Sequence, residues 1–293
     1  MSGGAHIVVD VGGTHLRVGT ADPPAVVLRR RSAEVLEGDP VAGLAACVRD
    51  GAAAAGRAPG RVTLGLPGSF DAAMERILSA PNLPMLEGRR IAPELGARLG
   101  LPVSAERDIV LHARGEWAAG AGGGAATVLG VFVGTGVGGA FLRAGAPMRG
   151  ASGGAVEVGH LPVMSAGRRC VCGNLDCVEA YACGGVLARA AAEAGVPVAR
   201  IWQDPATEPT DFIEALGRGL AAAVNMLDPA VVIVGGGVPA MAGFPRDRLL
   251  AAARAHLRRP VPAGNVAFRF ATLGEDAAMH GAAAPETDET ERT

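Results

Sequence analysis

Residues 7–22 read IVVDVGGTHLRVGTAD, and residues 128–145 read VLGVFVGTGVGGAFLRAG. Each is an apolar, β-branched run, then a glycine turn, then a second apolar run, which predicts two strands joined tightly. Two copies this far apart imply two similar lobes, because solenoid repeats are shorter and more numerous. The turns are Gly12-Gly13-Thr14 and Gly134-Thr135-Gly136, and a third, Gly235-Gly236-Gly237, ends the run AVVIVGGGVP (230–239). Glycines there let backbone N–H groups approach phosphate oxygens with no Cβ in the way. No GK[ST] follows, which excludes a P-loop, and the first two turns lead into strands, which excludes a dinucleotide fingerprint. Tight hairpins also use Gly-Gly, but three such turns favour a nucleotide held between two lobes. Asp10, at the tip of the first strand, is a candidate to hold magnesium directly or through water. The alternative for Asp10 is a carboxylate that caps its own turn.

Between and beyond the copies the pattern alternates strand and helix. Asp39-Pro40 predicts an N-cap and first-turn proline for a helix over about 40–56. VTLGLPGS (62–69) and LPVSAERD (101–108) read as strands, PELGARLG (93–100) as a helix closed by glycine, and IVLHARGEWAAG (109–120) as another helix. Asp108 ends a strand, where ligands meet open α/β sheets; a helix N-cap is the plainer reading, and the two roles are compatible. Further helices are expected within 180–195, 210–227, 246–258 and 276–284, and a last strand at 266–273.

The stretch EVGHLPVMSAGRRCVCGNLDCVE (157–179) holds three of the five cysteines. Cys170, Cys172 and Cys177, with His160, make three thiolates and one imidazole, the ligand set of a closed, structural zinc site. Three unrelated buried thiols are the competing reading. Glu157 and Glu179 are left over by the metal. Cys47 and Cys183 are expected to pack as small apolar side chains, and His15, His112 and Tyr181 receive no role.

The formal net charge is −2, with acids and bases mixed along the chain, which argues against nucleic acid or an anionic membrane as partner. No apolar run reaches transmembrane length without glycines or charges. The first residues, MSGGAHIVVD, lack the basic region of a signal peptide, and clustered free cysteines suit a reducing compartment, so a cytoplasmic protein is expected. The segment 284–293 is acidic and polar and is predicted to be disordered.

In this order, DVGGT (10–14), VGTGV (133–137), EVGH (157–160), CVCGNLDCVE (170–179) and VIVGGGV (232–238) resemble the ROK family (repressors, open reading frames, sugar kinases) over residues 6–283. The resemblance implies an α/β, two-lobed actin/hexokinase-like (ribonuclease H-like) ATPase fold with an interlobe cleft. It implies transfer of the γ-phosphate of Mg-ATP to a sugar hydroxyl and, commonly, a homodimer. It makes Asp108 the catalytic base, and Glu157, His160 and Glu179 sugar ligands, with Arg107, Gly65 and Asn82 beside the sugar. His160, Cys170, Cys172 and Cys177 become the zinc shell. ATP falls to Asp10, Gly12, Gly13, Thr14, Gly134, Thr135, Gly136, Gly235, Gly236 and Gly237. The lobes are expected at 1–107 and 108–283, the last helix being a candidate to pack on the N-terminal lobe.

The family's usual Asn-Asp-Ala-Asn around the base is here Arg107-Asp108-Ile109-Val110. In this Arg-Asp pair the chain is similar to members acting on D-allose, as it is in THLR (14–17), SAPNLP (79–84), NMLDPAVVIVGGGV (225–238), FPRDRL (244–249) and LRRPVP (257–262). Phosphorylation of the D-allose 6-hydroxyl is therefore the expectation, with Arg107 reading the inverted 3-hydroxyl through its rigid fork. The plainer view of Arg107 is a surface residue paired with Glu106. Glucose and N-acetylmannosamine are alternative substrates. A sugar-responsive repressor of the family is a further alternative, disfavoured because the first phosphate strand begins by residue 7.

Overall fold

The computed structural model describes residues 4–285. In chain order the elements are β1 (Ala5–Val11), β2 (His15–Ala21), β3 (Pro24–Arg31), α1 (Ser32–Leu36), α2 (Pro40–Ala54), β4 (Pro59–Leu66), β5 (Ser69–Phe70), β6 (Ile77–Ser79), α3 (Ile91–Leu99), β7 (Val103–Arg107) and α4 (Asp108–Ala119). They continue with β8 (Thr127–Val133), β9 (Val137–Arg143), β10 (Ala146–Pro147), α5 (Val178–Tyr181), α6 (Gly184–Ala194), α7 (Phe212–Leu227), β11 (Val231–Gly235), α8 (Arg246–Ala255), β12 (Ala267–Phe270) and α9 (Ala277–Ala283).

The chain forms two compact units. One contains the residues up to Gly124, Gly145–Ala155 and those from Leu273; the other contains Ala125–Ala144 and Val156–Thr272. The division expected after residue 107 differs from this. Helix α4 stays with the first unit because it packs on α9 through two glycines. A Cβ at Gly115 would lie 2.0 Å from the Ala277 carbonyl oxygen, and one at Gly281 would lie 1.9 Å from that of Leu111. Only small residues allow so close an approach of two helix backbones. The tail expected to be disordered lies, from residue 286 onward, outside the described residues.

The first unit is built on a sheet in the order β3-β2-β1-β4-β7. β1 and β2 are antiparallel, whereas β4 runs parallel to β1 and β7 parallel to β4. All seven residues of β1 are buried, as a central strand covered on both faces requires. Helix α2 begins as its sequence predicts: the Asp39 side chain accepts the Val41 N–H at 3.0 Å, with Pro40 in the first turn. Leu44, Cys47 and Val48 of α2 pack with Ile7, Val9 and Val18 in the core.

The second unit repeats this scheme. Its sheet contains the order β9-β8-β11-β12, with β8 and β9 antiparallel and β11 parallel to both β8 and β12. Helix α7 buries ten residues, among them Phe212, Leu216, Leu220 and Val224. Each large aliphatic or aromatic side chain so buried contributes about 1.5–3 kcal/mol. Trp202 meets Phe212 and Phe244 edge to face at 5.2 and 5.3 Å. Among the described residues, no helix is long and apolar enough to cross a membrane.

Candidate active site

In the first unit, sheet register gathers the candidate residues. Asp10 on β1 stands opposite Arg17 on β2 and Gly65 on β4. A Cβ at Gly65 would lie 3.3 Å from Asp10 Oδ1 and 3.4 Å from the Asp108 Cα. Glycine there leaves the two carboxylates as neighbours. Asp10 does not cap its turn. The turn closes by Gly12 N–H donating to the His15 carbonyl at 3.0 Å, and the Ser32 hydroxyl donates to the Gly12 carbonyl at 2.6 Å. The Asp10 side chain, 1% exposed, takes His112 Nε2 at 3.1 Å and Arg17 Nη1 at 3.5 Å, both on Oδ2. Its Oδ1 is buried with no hydrogen-bond partner.

Burial opposes charge on Asp10, but His112 and Arg17 outweigh it and hold its carboxyl below the usual range. Burial and then the Asp10 charge push Asp108 up. Burial also disfavours the charged His112 ring, yet Asp10 beside it raises that pKa. Two neighbouring carboxylates are thus driven apart in acidity.

Asp108 is not the N-cap of α4. Strand β7 runs straight into the helix, so Arg107 takes the N-cap position, and Asp108 is the first helical residue. Asp108 Oδ1 accepts the Ile109 N–H at 2.8 Å. Nor is Arg107 a surface residue, although its backbone N–H donates to Glu106 Oε1 at 2.9 Å. It is 8% exposed, and its Nη1 donates to the Ala155 carbonyl at 3.2 Å. Glu106 is also held by Arg149, which donates to both its oxygens at 3.0 and 2.6 Å. Arg149 carries no sequence signal for this. Asn82 is exposed in the turn before Pro84–Leu86, and its side chain makes no hydrogen bond among the described residues.

In the second unit, the ligand atoms of His160, Cys170, Cys172 and Cys177 all lie within 4.8 Å of one another. Tetrahedral zinc, with Zn–S near 2.3 Å and Zn–N near 2.0–2.1 Å, needs S–S edges of about 3.8 Å and S–N edges of about 3.6 Å. Cys172 and Cys177 sulfurs are 3.7 Å apart, and Cys170 Sγ is 3.6 Å from His160 Nδ1. The four residues therefore fit a zinc ion, which would close this loop without taking part in chemistry. Facing the sulfurs with Nδ1 puts His160 Nε2 on the opposite edge of the ring.

The EVGH segment packs on β9, since a Cβ at Gly159 would lie 2.2 Å from the Val137 carbonyl oxygen. Glu157 precedes the short turn Val158–His160 and is half-buried. Glu179, two residues after Cys177, has a use that sequence alone does not show. Its Oε2 accepts the Val137 N–H at 2.7 Å, directly after the Gly134-Thr135-Gly136 turn. The glycine turns are not equivalent. Gly236 has φ +92°, and a Cβ there would lie 2.4 Å from the Val133 carbonyl oxygen, so packing alone demands glycine. Gly235 packs on the Phe132 ring. At Gly134 and Gly237 an added Cβ would meet nothing within 4 Å, so no intramolecular packing explains those two.

Paired α/β units with matching sheets define an actin/hexokinase-like protein, and known structures share this architecture. The crystal structure of a ROK hexokinase from Thermus thermophilus is 31% identical with a TM-score of 0.75, covering 95% of this chain and 96% of that one. That of a ROK family glucokinase from Streptomyces griseus, in complex with glucose and AMPPNP, is 28% identical with a TM-score of 0.81, covering 96% and 98%. A glucokinase of Halalkalibacterium halodurans is 32% identical over 251 residues, 75% of this chain and 74% of that protein. The sequence model of the ROK family matches residues 6–288, and the chain belongs to that family.

Proposed function

We propose that this protein is an ATP-dependent hexose kinase that phosphorylates a sugar 6-hydroxyl, with D-allose as the foremost candidate. The observation that carries the reading is the Asp108–Asp10 pair, two neighbouring carboxylates of opposite acidity in a ROK family chain. Asp108 accepts the proton of the 6-hydroxyl as its oxygen bonds to the γ-phosphorus. The bond from that phosphorus to the bridging oxygen breaks, and ADP leaves. Glu157, Glu179 and His160 Nε2 hold sugar hydroxyls, the carboxylates as charged acceptors. Magnesium bound with ATP would place positive charge over the transferring oxygens. Asp10 is the residue that would hold it, and its partnerless buried Oδ1 fits that use.

The turn glycines separate ligand binding from packing. We expect Gly237→Ala to fold with unchanged thermal stability and to raise KM for ATP severalfold, because only an incoming phosphate competes with the added methyl. Gly236→Ala should destabilise by about 1–3 kcal/mol or more through backbone strain. Thermal melts beside ATP titrations check both, and a silent Gly237→Ala removes that turn from the nucleotide site.

Arg107, standing where the family usually has Asn, supports D-allose. Its guanidinium holds the Ala155 carbonyl, so it acts on sugar choice by fixing the segment before Glu157 as well as by any direct contact. Arg107→Asn should lower the allose-to-glucose ratio of kcat/KM by about tenfold, the effect of roughly 1.4 kcal/mol. An unchanged ratio sinks the allose assignment. The second reading is glucose itself, favoured by the relatives named glucokinase and by the glucose-bound structure.

A further inference from the structure

His112 lies one helical turn beyond Asp108, on the same face of α4. An ionised carboxylate only accepts hydrogen bonds, so His112 Nε2 is the donor to Asp10 Oδ2 at 3.1 Å. Arg17 reaches the same oxygen at 3.5 Å, and is itself held by Glu275 Oε1 at 3.3 Å. Both donors converge on Oδ2, while Oδ1 stays buried and partnerless on the side of Gly65 and Asp108. A carboxylate with one weak partner can turn and present either oxygen. One gripped from β2 and from α4 presents a single oxygen, already stripped of water and aimed beside the base. The grip also comes from the helix that carries Asp108, so the two acids share one rigid support.

We propose that His112 is a positioning residue for Asp10: its hydrogen bond fixes the carboxylate so that Oδ1 alone faces the metal–phosphate group. The proposal rests on the reading of Asp10 as the metal-holding residue. The matching variants are His112→Ala, which removes the donor, His112→Gln, which keeps an N–H at similar reach, and His112→Phe, which keeps ring volume only. Mn2+ titrated into the full-length protein with AMPPNP, followed by electron paramagnetic resonance, reads the metal site without turnover. Expected is about a tenfold weaker Mn2+ affinity for Ala and Phe, most of it restored by Gln, following the usual effect of outer partners on a metal ligand. KM for sugar should stay within about twofold, a split that a merely structural role would not produce. Wild-type Mn2+ affinity in His112→Ala overturns the proposal, as does equal loss in Gln and Ala. Asp10→Asn tests the underlying reading separately: unchanged Mn2+ affinity there overturns the Asp10 assignment itself.

Discussion

Asp108→Asn should retain sugar and nucleotide binding and lose turnover by about 10²- to 10⁴-fold, the range expected for removing a general base such as the one proposed here. Asn has nearly the same shape and still offers an oxygen to the Ile109 N–H, which Asp108 Oδ1 accepts at 2.8 Å, so the start of α4 survives. What disappears is proton acceptance. The loss belongs in kcat, because the base acts on the reacting hydroxyl and not on ground-state affinity. pH adds an independent reading. The base works ionised, so kcat/KM falls as pH drops through its folded pKa. Burial, followed by the Asp10 charge, pushes that pKa up, so the acid limb lies above the ordinary Asp value of about 3.9. Isothermal titration with sugar, beside steady-state rates across pH, checks both parts. Turnover within about tenfold of wild type would place the base elsewhere.

Removal of zinc from the proposed site around Cys177 is the second large effect expected. The loop from Leu161 to Cys177 has little core of its own: Val171 is 77% exposed and Leu175 49%. Its backbone is held by isolated bridges, Pro162 to Cys177 and Arg169 to Leu175, by the Asp176 carboxylate accepting the Gly167 and Arg168 N–H groups at 3.1 and 3.0 Å, and by the fully buried Cys177. A zinc ion on the four clustered residues would add to that order, because metal binding to such a loop contributes directly to its folding. Three site residues depend on it. His160 is one of the four clustered residues, Glu157 lies three positions earlier, and Glu179 follows Cys177 by two and holds the Val137 N–H. Cys177→Ser, or treatment with a strong chelator, should therefore lower activity by at least roughly 100-fold. Far-UV circular dichroism should change little, because the loop adds only the partly buried Leu161 and Val163 and the buried Cys170 and Cys177, while the strands and helices around Leu129, Val131, Leu216 and Val234 form the body of the core. Elemental analysis should find about one zinc per chain in the wild type, as one closed shell requires. Full activity in protein stripped of metal would remove the structural role.

The repeated strand–turn–strand pattern was legible because both copies are local. Each hairpin pairs residues only a few positions apart, as Val9 with Val18 and Val131 with Gly139 show. The parallel partners were not legible. β4 joins β1, and β11 joins β8, across long stretches whose apolar runs carry no register information. Nor was the retention of α4 in the first unit, which depends on Gly115 and Gly281 meeting opposite carbonyls. The clustering of His160 with Cys170, Cys172 and Cys177 was readable from composition and spacing. His112 was missed because a lone histidine in a helical pattern looks like any other; its spacing of four from Asp108 was the one available sign. Arg149 offered none, since its partner Glu106 is 43 residues away. Asp108 was misplaced as an N-cap because the sequence does not show that β7 enters α4 without a connecting residue.

Hexose phosphorylation at the 6-position is the proposed activity on which the roles of Asp108, Glu157 and Glu179 depend. The direct measurement is Mg-ATP-dependent ADP release over aldohexoses, N-acetylhexosamines and fructose, with the 6-deoxy form of the best substrate as control. Strong stimulation by an aldohexose, highest kcat/KM for D-allose, and none by the 6-deoxy sugar are expected. ADP release that no sugar stimulates, or that the 6-deoxy sugar stimulates equally, would contradict the proposed activity.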